Sequence, residues 1–174
     1  CVLLPRDGLC VSTQVGCAVG CVFCMAGRDG LLRQLGSAEI VAQVALARGL
    51  RAVRKVVFMG MGEPAHNRAA VLEAIDWLGR EGDIGHKNLV LSTVGDDRLF
   101  DDLDALGPGD VRPALALSLH STFADRRAEQ QVLRHRGVAV VTGDVEALHQ
   151  LADLGPAQAL AHGVAGTQDV FGES

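Results

Sequence analysis

Four short apolar runs punctuate the chain, each followed by glycine, serine or threonine. They lie at residues 56–59, 89–91, 114–117 and 138–141. Continuous apolar runs of this length are typical of strands that are buried on both faces of a sheet. An earlier segment, residues 9–15, alternates apolar and polar positions and predicts one more strand.

The stretches between these runs carry the spacing of amphipathic helices. Ser37 predicts a helix N-cap with Glu39 in the first turn, and Gly49 predicts the end of that helix. Asn67 is predicted to cap a second helix. Its buried side is predicted to carry Val71, Leu72, Ile75 and Leu78. Further helical patterns cover residues 99–106, 123–135 and 145–154.

Strands that alternate with helices predict right-handed βαβ units and a parallel α/β sheet in one domain of 174 residues. In such sheets, ligands bind beyond the carboxyl ends of the strands. The chemically distinctive segments all follow predicted strands. They are a cysteine-rich loop at residues 17–24 and the segments 60–64, 92–95 and 118–120. We therefore expect them to meet in one place.

All five cysteines lie within the first 24 residues, and three of them are spaced by four and then three positions: Cys17, Cys21 and Cys24. Thiolates select iron–sulfur clusters, zinc or copper(I). A closed zinc site needs four ligands, and no second pair at suitable spacing follows. The pattern therefore favours a metal centre that is left open on one side, with zinc as the alternative.

The net charge of −5 argues against a general affinity for nucleic acids. The first 55 residues nevertheless carry seven basic and three acidic side chains. The simplest interpretation of this charge distribution is an ordinary solvated surface. A basic rim around a site for an anionic substrate is the more specific alternative. No membrane span or signal peptide is apparent, and the clustered thiols favour the reducing cytoplasm.

Taken together, these motifs resemble the radical S-adenosylmethionine (SAM) superfamily and, within it, the 23S rRNA adenine-C2 methyltransferase family and its C8-methylating cousins. The resemblance runs from about residue 4 to about residue 127. It is carried by Cys10-Val-Ser-Thr-Gln-Val-Gly-Cys17-Ala-Val-Gly-Cys21-Val-Phe-Cys24, Gly60-Met-Gly-Glu-Pro64, Leu91-Ser-Thr-Val-Gly95 and Leu117-Ser-Leu-His120. It implies a shortened parallel (βα) partial barrel of about five or six βα units.

The resemblance also implies cofactors and their ligands. Cys17, Cys21 and Cys24 are expected to hold three irons of a [4Fe–4S] cluster, which cleaves SAM reductively with electrons from a donor such as flavodoxin or ferredoxin. Gly62 and Glu63 are expected at the methionine end of SAM, and Phe23 near its adenine. The expected contacts to its carboxylate and ribose are Ser92, Ser118, Leu119 and His120. The expected substrate is an adenine in 23S rRNA or tRNA.

The chain departs from this family towards its end. The family's enzymes are longer, with an N-terminal accessory domain and a methyl-carrying cysteine near the C-terminus, where Ser174 falls here. We therefore expect residues 1–127 to be a family-like core and residues 128–174 a rejoined or diverged tail, within a single domain. Two alternatives follow: a radical SAM enzyme that only abstracts hydrogen, and a non-catalytic remnant that binds SAM and the cluster.

Overall fold

The computed structural model describes residues 1–118, which form an α/β fold. The strands, in chain order, are β1 (Val2–Leu3), β2 (Gly8–Cys10), β3 (Gln14–Gly16), β4 (Leu31–Gln34), β5 (Lys55–Phe58), β6 (Leu89–Thr93) and β7 (Ala114–Leu117). The α-helices are α1 (Ser37–Arg48), α2 (Arg68–Arg80) and α3 (Asp97–Asp104). Short 3-10 helices cover Met25–Gly27, Pro64–Asn67 and His86–Asn88.

The main sheet has five strands in the order β1-β2-β5-β6-β7. The pairs β2–β5, β5–β6 and β6–β7 are parallel, and β1 runs antiparallel to β2 at the edge. The carboxyl ends of β5, β6 and β7 therefore lie side by side. A separate two-stranded antiparallel sheet consists of β3 and β4. This confirms the parallel α/β fold that the alternating apolar runs predict.

Alternate strand residues face two apolar environments. One face packs against the three helices and contributes to the large core, with Leu9, Val56, Phe58, Leu89, Leu91, Leu115 and Leu117. The opposite face buries Val57, Val90 and Ala116 in a second, smaller cluster. Both faces are therefore buried, which explains why these strands read as continuous apolar runs.

The helices form where their apolar spacing predicts them. Helix α1 buries Ile40, Val44 and Ala47, and α2 buries Val71, Ala74, Ile75 and Leu78. Leu72 is only partly buried and packs against the edge of the core. In α3 the buried residues are Leu99, Phe100 and Leu103. Within residues 1–118, no helix is long and apolar enough to cross a membrane.

Three details of the sequence prediction are wrong. The single strand predicted at residues 9–15 is divided: the chain leaves the main sheet after Val11, and β3 pairs with β4 instead. Gly36, not Ser37, is the N-cap of α1, and its N–H donates to the Glu39 carboxylate over 2.9 Å. Asn67 occupies the N-cap position of α2, but its side chain does not cap that helix.

The predicted helices at residues 123–135 and 145–154, and the predicted strand at 138–141, lie outside the described residues. The division of the chain at residue 127 and its single-domain organisation stay predictions.

We expect Ile75→Ala to lower the free energy of unfolding by about 2–5 kcal/mol, because it leaves a cavity where α2 packs on the sheet. Leu46→Ala on α1 is the control, since Leu46 is 69% exposed; it is expected to change stability by less than about 0.5 kcal/mol. Urea denaturation measures both. Equal losses in the two variants would contradict the placement of the core.

Candidate active site

In the structure, the three cysteines lie in a longer loop, residues 17–30, which connects β3 to β4 and is called the cysteine loop from here on. The β3–β4 hairpin closes this loop at its base. Cys17 N donates to the Gly30 carbonyl over 3.0 Å. The two strands approach so closely here that a Cβ on Gly16 would lie 2.0 Å from the Gly30 oxygen, and Gly16 has a φ of +78°. Glycine at position 16 is therefore needed for the strands to meet, and Cys17 is fixed at the point where the loop begins.

Tight turns bring the second half of the loop together. Cys24 N donates to the Cys21 carbonyl over 2.9 Å, and Gly27 N donates to the Cys24 carbonyl over 3.3 Å. Cys17 and Cys21 are partly buried, whereas Cys24 is exposed. A cavity of about 390 Å³ lies within this part of the loop, lined by residues 20–25, 27 and 28.

The environment of the loop keeps two of its thiols protonated. Burial, together with the nearby Cys24 and Cys17, raises the pKa of Cys21 to about 11. Burial also raises the pKa of Cys17, although hydrogen bonds from the backbone N–H groups of Val19 and Glu63 act in the opposite direction. A metal that takes these sulfurs as thiolates must therefore displace protons from them.

Glu63 is the buried carboxylate of the site. It follows β5, is only 4% exposed, and burial raises its pKa. Its Oε1 accepts hydrogen bonds from Thr93 Oγ1 at 2.6 Å and from Ala65 N at 3.0 Å, and its Oε2 accepts one from Val94 N at 3.1 Å. These bonds join the segment after β5 to the end of β6. The Glu63 carboxylate is also a lesser cause, after burial, of the raised pKa values of Cys17 and Cys21.

The serines predicted at the site lie together at the ends of two neighbouring strands. Ser92 Oγ and Ser118 Oγ are 3.0 Å apart, with β6 and β7 in parallel register. Ser118 N also donates to the Thr93 carbonyl over 2.7 Å. The two hydroxyls thus lie beside the end of β6, where Thr93 and Val94 donate to the Glu63 carboxylate. Leu119 and His120, which were predicted to join them, lie outside the described residues.

Gly62 has a role in packing that the resemblance did not indicate. Its φ is +104°, and a Cβ at this position would lie 2.6 Å from both Cβ and Cγ of Gln14. The close approach of the Gln14 side chain therefore requires glycine here. Whether Gly62 also contacts a cofactor stays a prediction.

Sequence reasoning missed four polar residues that build the site: Gln14, Gln34, Asn67 and Thr93. Gln14 is completely buried, and its Oε1 accepts a hydrogen bond from Glu63 N at 2.8 Å. The sequence placed Gln14 inside the cysteine motif and in the alternating segment 9–15, where polar positions normally face solvent, and neither indicated burial. A polar residue two positions before a turn glycine gives no further indication of burial.

The donor chemistry fits an iron–sulfur cluster. Three cysteines on one loop are ligands that such a cluster takes. Within residues 1–118, no three or more His, Cys, Asp or Glu side chains are gathered as a metal-binding group. The thiols are nevertheless close enough to influence one another's pKa. The residues thus fit a cluster by their chemistry, and their side chains have to converge on binding.

A sequence profile described as the radical SAM superfamily matches residues 11–163. This range includes the cysteine loop, the 60–64 segment and both strand-end serines. The chain belongs to the radical SAM superfamily. The prediction of this superfamily from the motifs is confirmed, and the parallel sheet is that of a radical SAM partial barrel.

Its relatives carry a more specific description. A probable RNA methyltransferase of Leptothrix cholodnii is 77% identical over 128 residues, which cover 74% of this chain and 36% of that protein. One of Stutzerimonas stutzeri is 65% identical over 162 residues, covering 93% of this chain and 44% of that protein. This radical SAM chain thus spans between about a third and a half of the curated relatives it matches.

A solved structure supports the same placement. The crystal structure of a radical SAM methyltransferase from Sphaerobacter thermophilus superposes with a TM-score of 0.66 at 37% sequence identity. The match covers 75% of this chain and 40% of that one.

We expect Thr93→Val to destabilise the fold by about 1.5–3 kcal/mol, because it removes a hydroxyl that donates to the buried Glu63 carboxylate. Thr13→Val is a matched control. Thr13 is equally buried, but its hydroxyl has no hydrogen-bond partner among residues 1–118, so its loss is expected to be neutral or stabilising. Chemical denaturation of both variants tests this. A Thr93 variant as stable as the wild type would show that Glu63 does not depend on this bond.

Proposed function

We propose that this chain forms the cofactor-binding part of a radical SAM RNA methyltransferase, with a [4Fe–4S] cluster on Cys17, Cys21 and Cys24. The observation that carries the proposal is the buried Glu63 carboxylate beside the cysteine loop, fixed by Thr93 and Val94. Family membership and the names of the relatives support it.

When bound to these cysteines, a [4Fe–4S] cluster would supply the electron that cleaves the sulfonium of SAM. The protein's own residues provide the position of that molecule. Glu63 offers a carboxylate in a site where burial disfavours its charge, and a cationic ammonium group would relieve that cost. The Ser92 and Ser118 hydroxyls, 3.0 Å apart, provide donors and acceptors for a carboxylate or ribose. By the family resemblance, Leu119 and His120 are proposed to contact the same part of SAM.

The loop also has groups suited to an adenine ring. Val22, Phe23 and Met25 are 67%, 53% and 72% exposed in the cysteine loop. Apolar and aromatic side chains beside a polar centre are typical of small-molecule sites. We assign Phe23 to the adenine end of SAM on this ground and on its place before Cys24.

The proposed substrate is an adenine in 23S rRNA or tRNA, methylated at C2. Four motifs in the order of the adenine-C2 methyltransferase family support this choice, as do relatives described as probable RNA methyltransferases. The basic excess in residues 1–55 lies at the end of the chain that holds the cysteines and suits an anionic partner. A flavodoxin or ferredoxin is the proposed electron donor, in the cytoplasm.

A second candidate is hydrogen abstraction by the same SAM chemistry without methyl transfer. It is favoured by one observation, the lack of any cysteine among residues 25–174. A serine hydroxyl, such as that of Ser174, is a far weaker nucleophile towards a sulfonium than a thiolate.

We expect Ser variants of Cys17, Cys21 or Cys24 to lose the bound iron and the iron–sulfur absorption that the wild type acquires on anaerobic reconstitution, about four irons per chain. Cys1→Ser and Cys10→Ser are the controls, because these cysteines lie outside the loop, and both are expected to retain the iron. Iron and sulfide analysis with absorption spectroscopy provides the measurement. One zinc per chain in place of iron, or equal iron in all variants, would overturn the assignment.

Products distinguish the two candidate functions. We expect the reconstituted protein, with a reductant, SAM and unmodified 23S rRNA or tRNA, to produce 5′-deoxyadenosine and to introduce 2-methyladenosine into the RNA. The second candidate predicts 5′-deoxyadenosine without methylated RNA. Mass spectrometry of the nucleosides measures both products. Their joint absence would contradict both candidates and favour a non-catalytic SAM-binding remnant.

A further inference from the structure

The hairpin that carries the cysteine loop is tied by hydrogen bonds to the segment that follows β5. Thr13 N and Gln14 N both donate to the Met61 carbonyl, over 2.9 Å and 3.1 Å. Asn67 Nδ2 donates to the carbonyls of Thr13 and Leu35, over 2.8 Å and 2.7 Å, one on each side of the hairpin. The position of the cysteine loop is thus linked to the segment that contains Glu63.

Gln14 makes the most direct of these links. Its side-chain Oε1 accepts a hydrogen bond from Glu63 N at 2.8 Å, and its Nε2 donates to Gln34 Oε1 at 2.8 Å. Gln34 Nε2 in turn donates to the His66 carbonyl over 2.8 Å. Both ends of the Gln14 amide are used, and the two glutamines connect β3 and β4 to both ends of the 63–66 segment.

The packing around Gln14 leaves it no second position. Its side chain is 0% exposed and lies against Gly62, where any Cβ would overlap it. Moving a buried amide that is fully hydrogen-bonded costs free energy, because each lost hydrogen bond leaves an unpaired polar group. The Gln14 side chain therefore holds the Glu63 backbone in one position relative to the hairpin.

Glu63 is held from two sides. Gln14 fixes its backbone N–H, whereas Thr93 and Val94 fix its carboxylate from the end of β6. Gln14 lies on β3, and Cys17, the first cysteine of the loop, directly follows that strand. The distance between the carboxylate and the first cysteine of the loop thus depends on the position of this one residue.

We propose that Gln14 is a positioning residue of the cofactor site: it fixes the backbone of Glu63 relative to the cysteine loop without touching the cofactor. Because Gln14 has no exposed surface, a molecule in the site does not reach it. The relevance to SAM binding rests on the proposed function, whereas the hydrogen bond from Glu63 does not.

Amide hydrogen exchange followed by NMR tests the bond itself. In Gln14→Leu, the Glu63 amide is expected to exchange about tenfold faster than in the wild type, because it loses its acceptor. Gln43→Leu is the matched control. The Gln43 side chain accepts a hydrogen bond from Ser12 N and donates to the carbonyls of Ser12 and Glu39, but it makes none to Glu63. An unchanged Glu63 exchange rate in folded Gln14→Leu, or equal increases in both variants, would overturn the proposal.

Two further measurements decide the case if Gln14→Leu fails to fold. Gln14→Glu keeps an oxygen acceptor at the same place and is expected to retain slow exchange at Glu63; fast exchange in this folded variant contradicts the proposal. In the unmodified protein, a scalar coupling across the hydrogen bond, between the Glu63 amide nitrogen and the Gln14 Cδ, is expected. Its absence contradicts the proposal as well.

Anaerobic equilibrium dialysis with SAM tests the consequence for the site. In cluster-loaded protein, Gln14→Leu is expected to weaken SAM binding about tenfold, and Gln43→Leu by less than about twofold. Faster Glu63 exchange with unchanged SAM affinity would refute the positioning role. If the wild type retains neither iron nor SAM, the proposed function fails, while the exchange experiment still decides whether Gln14 fixes Glu63.

Discussion

A carboxylate that leaves water must find hydrogen-bond partners, and the arrangement of this protein around Glu63 follows from that requirement. Its two oxygens take donors from Thr93, Val94 and Ala65, which binds the segment after β5 to the end of β6. Its backbone N–H donates to the side-chain oxygen of Gln14, which lies on the hairpin. Three separate parts of the chain are thereby held together beside the cysteine loop.

The hydrophobic sheet makes this arrangement possible without contributing chemistry of its own. Parallel pairing aligns β5, β6 and β7 so that their carboxyl ends open on one edge. The two faces differ in side-chain size, with Phe58 and Leu91 in the large core and Val90 and Ala116 in the smaller cluster. A shift by one position would therefore force large side chains into the smaller cluster. The polar residues that follow each strand therefore have little freedom, and the Ser92–Ser118 contact of 3.0 Å is one result.

The sequence predicted the parts of this structure that depend on burial alone. Continuous apolar runs identified β5, β6 and β7, because strands buried on both faces need apolar residues at every position. The strand β4 was missed, since all four of its residues are exposed and carry no pattern. Gln14 was missed for the opposite reason: its polar side chain is buried by partners that lie 20 and 49 residues away in sequence. Local patterns do not contain such long-range hydrogen bonds.

The proposed [4Fe–4S] cluster on the three-cysteine loop would bind SAM at the iron that has no cysteine ligand. Mössbauer spectroscopy of protein reconstituted with ⁵⁷Fe, before and after addition of SAM, tests this most directly. We expect a [4Fe–4S] spectrum in which one iron becomes distinct from the other three when SAM is added. A spectrum that SAM leaves unchanged, or protein that retains no iron, would contradict the proposal.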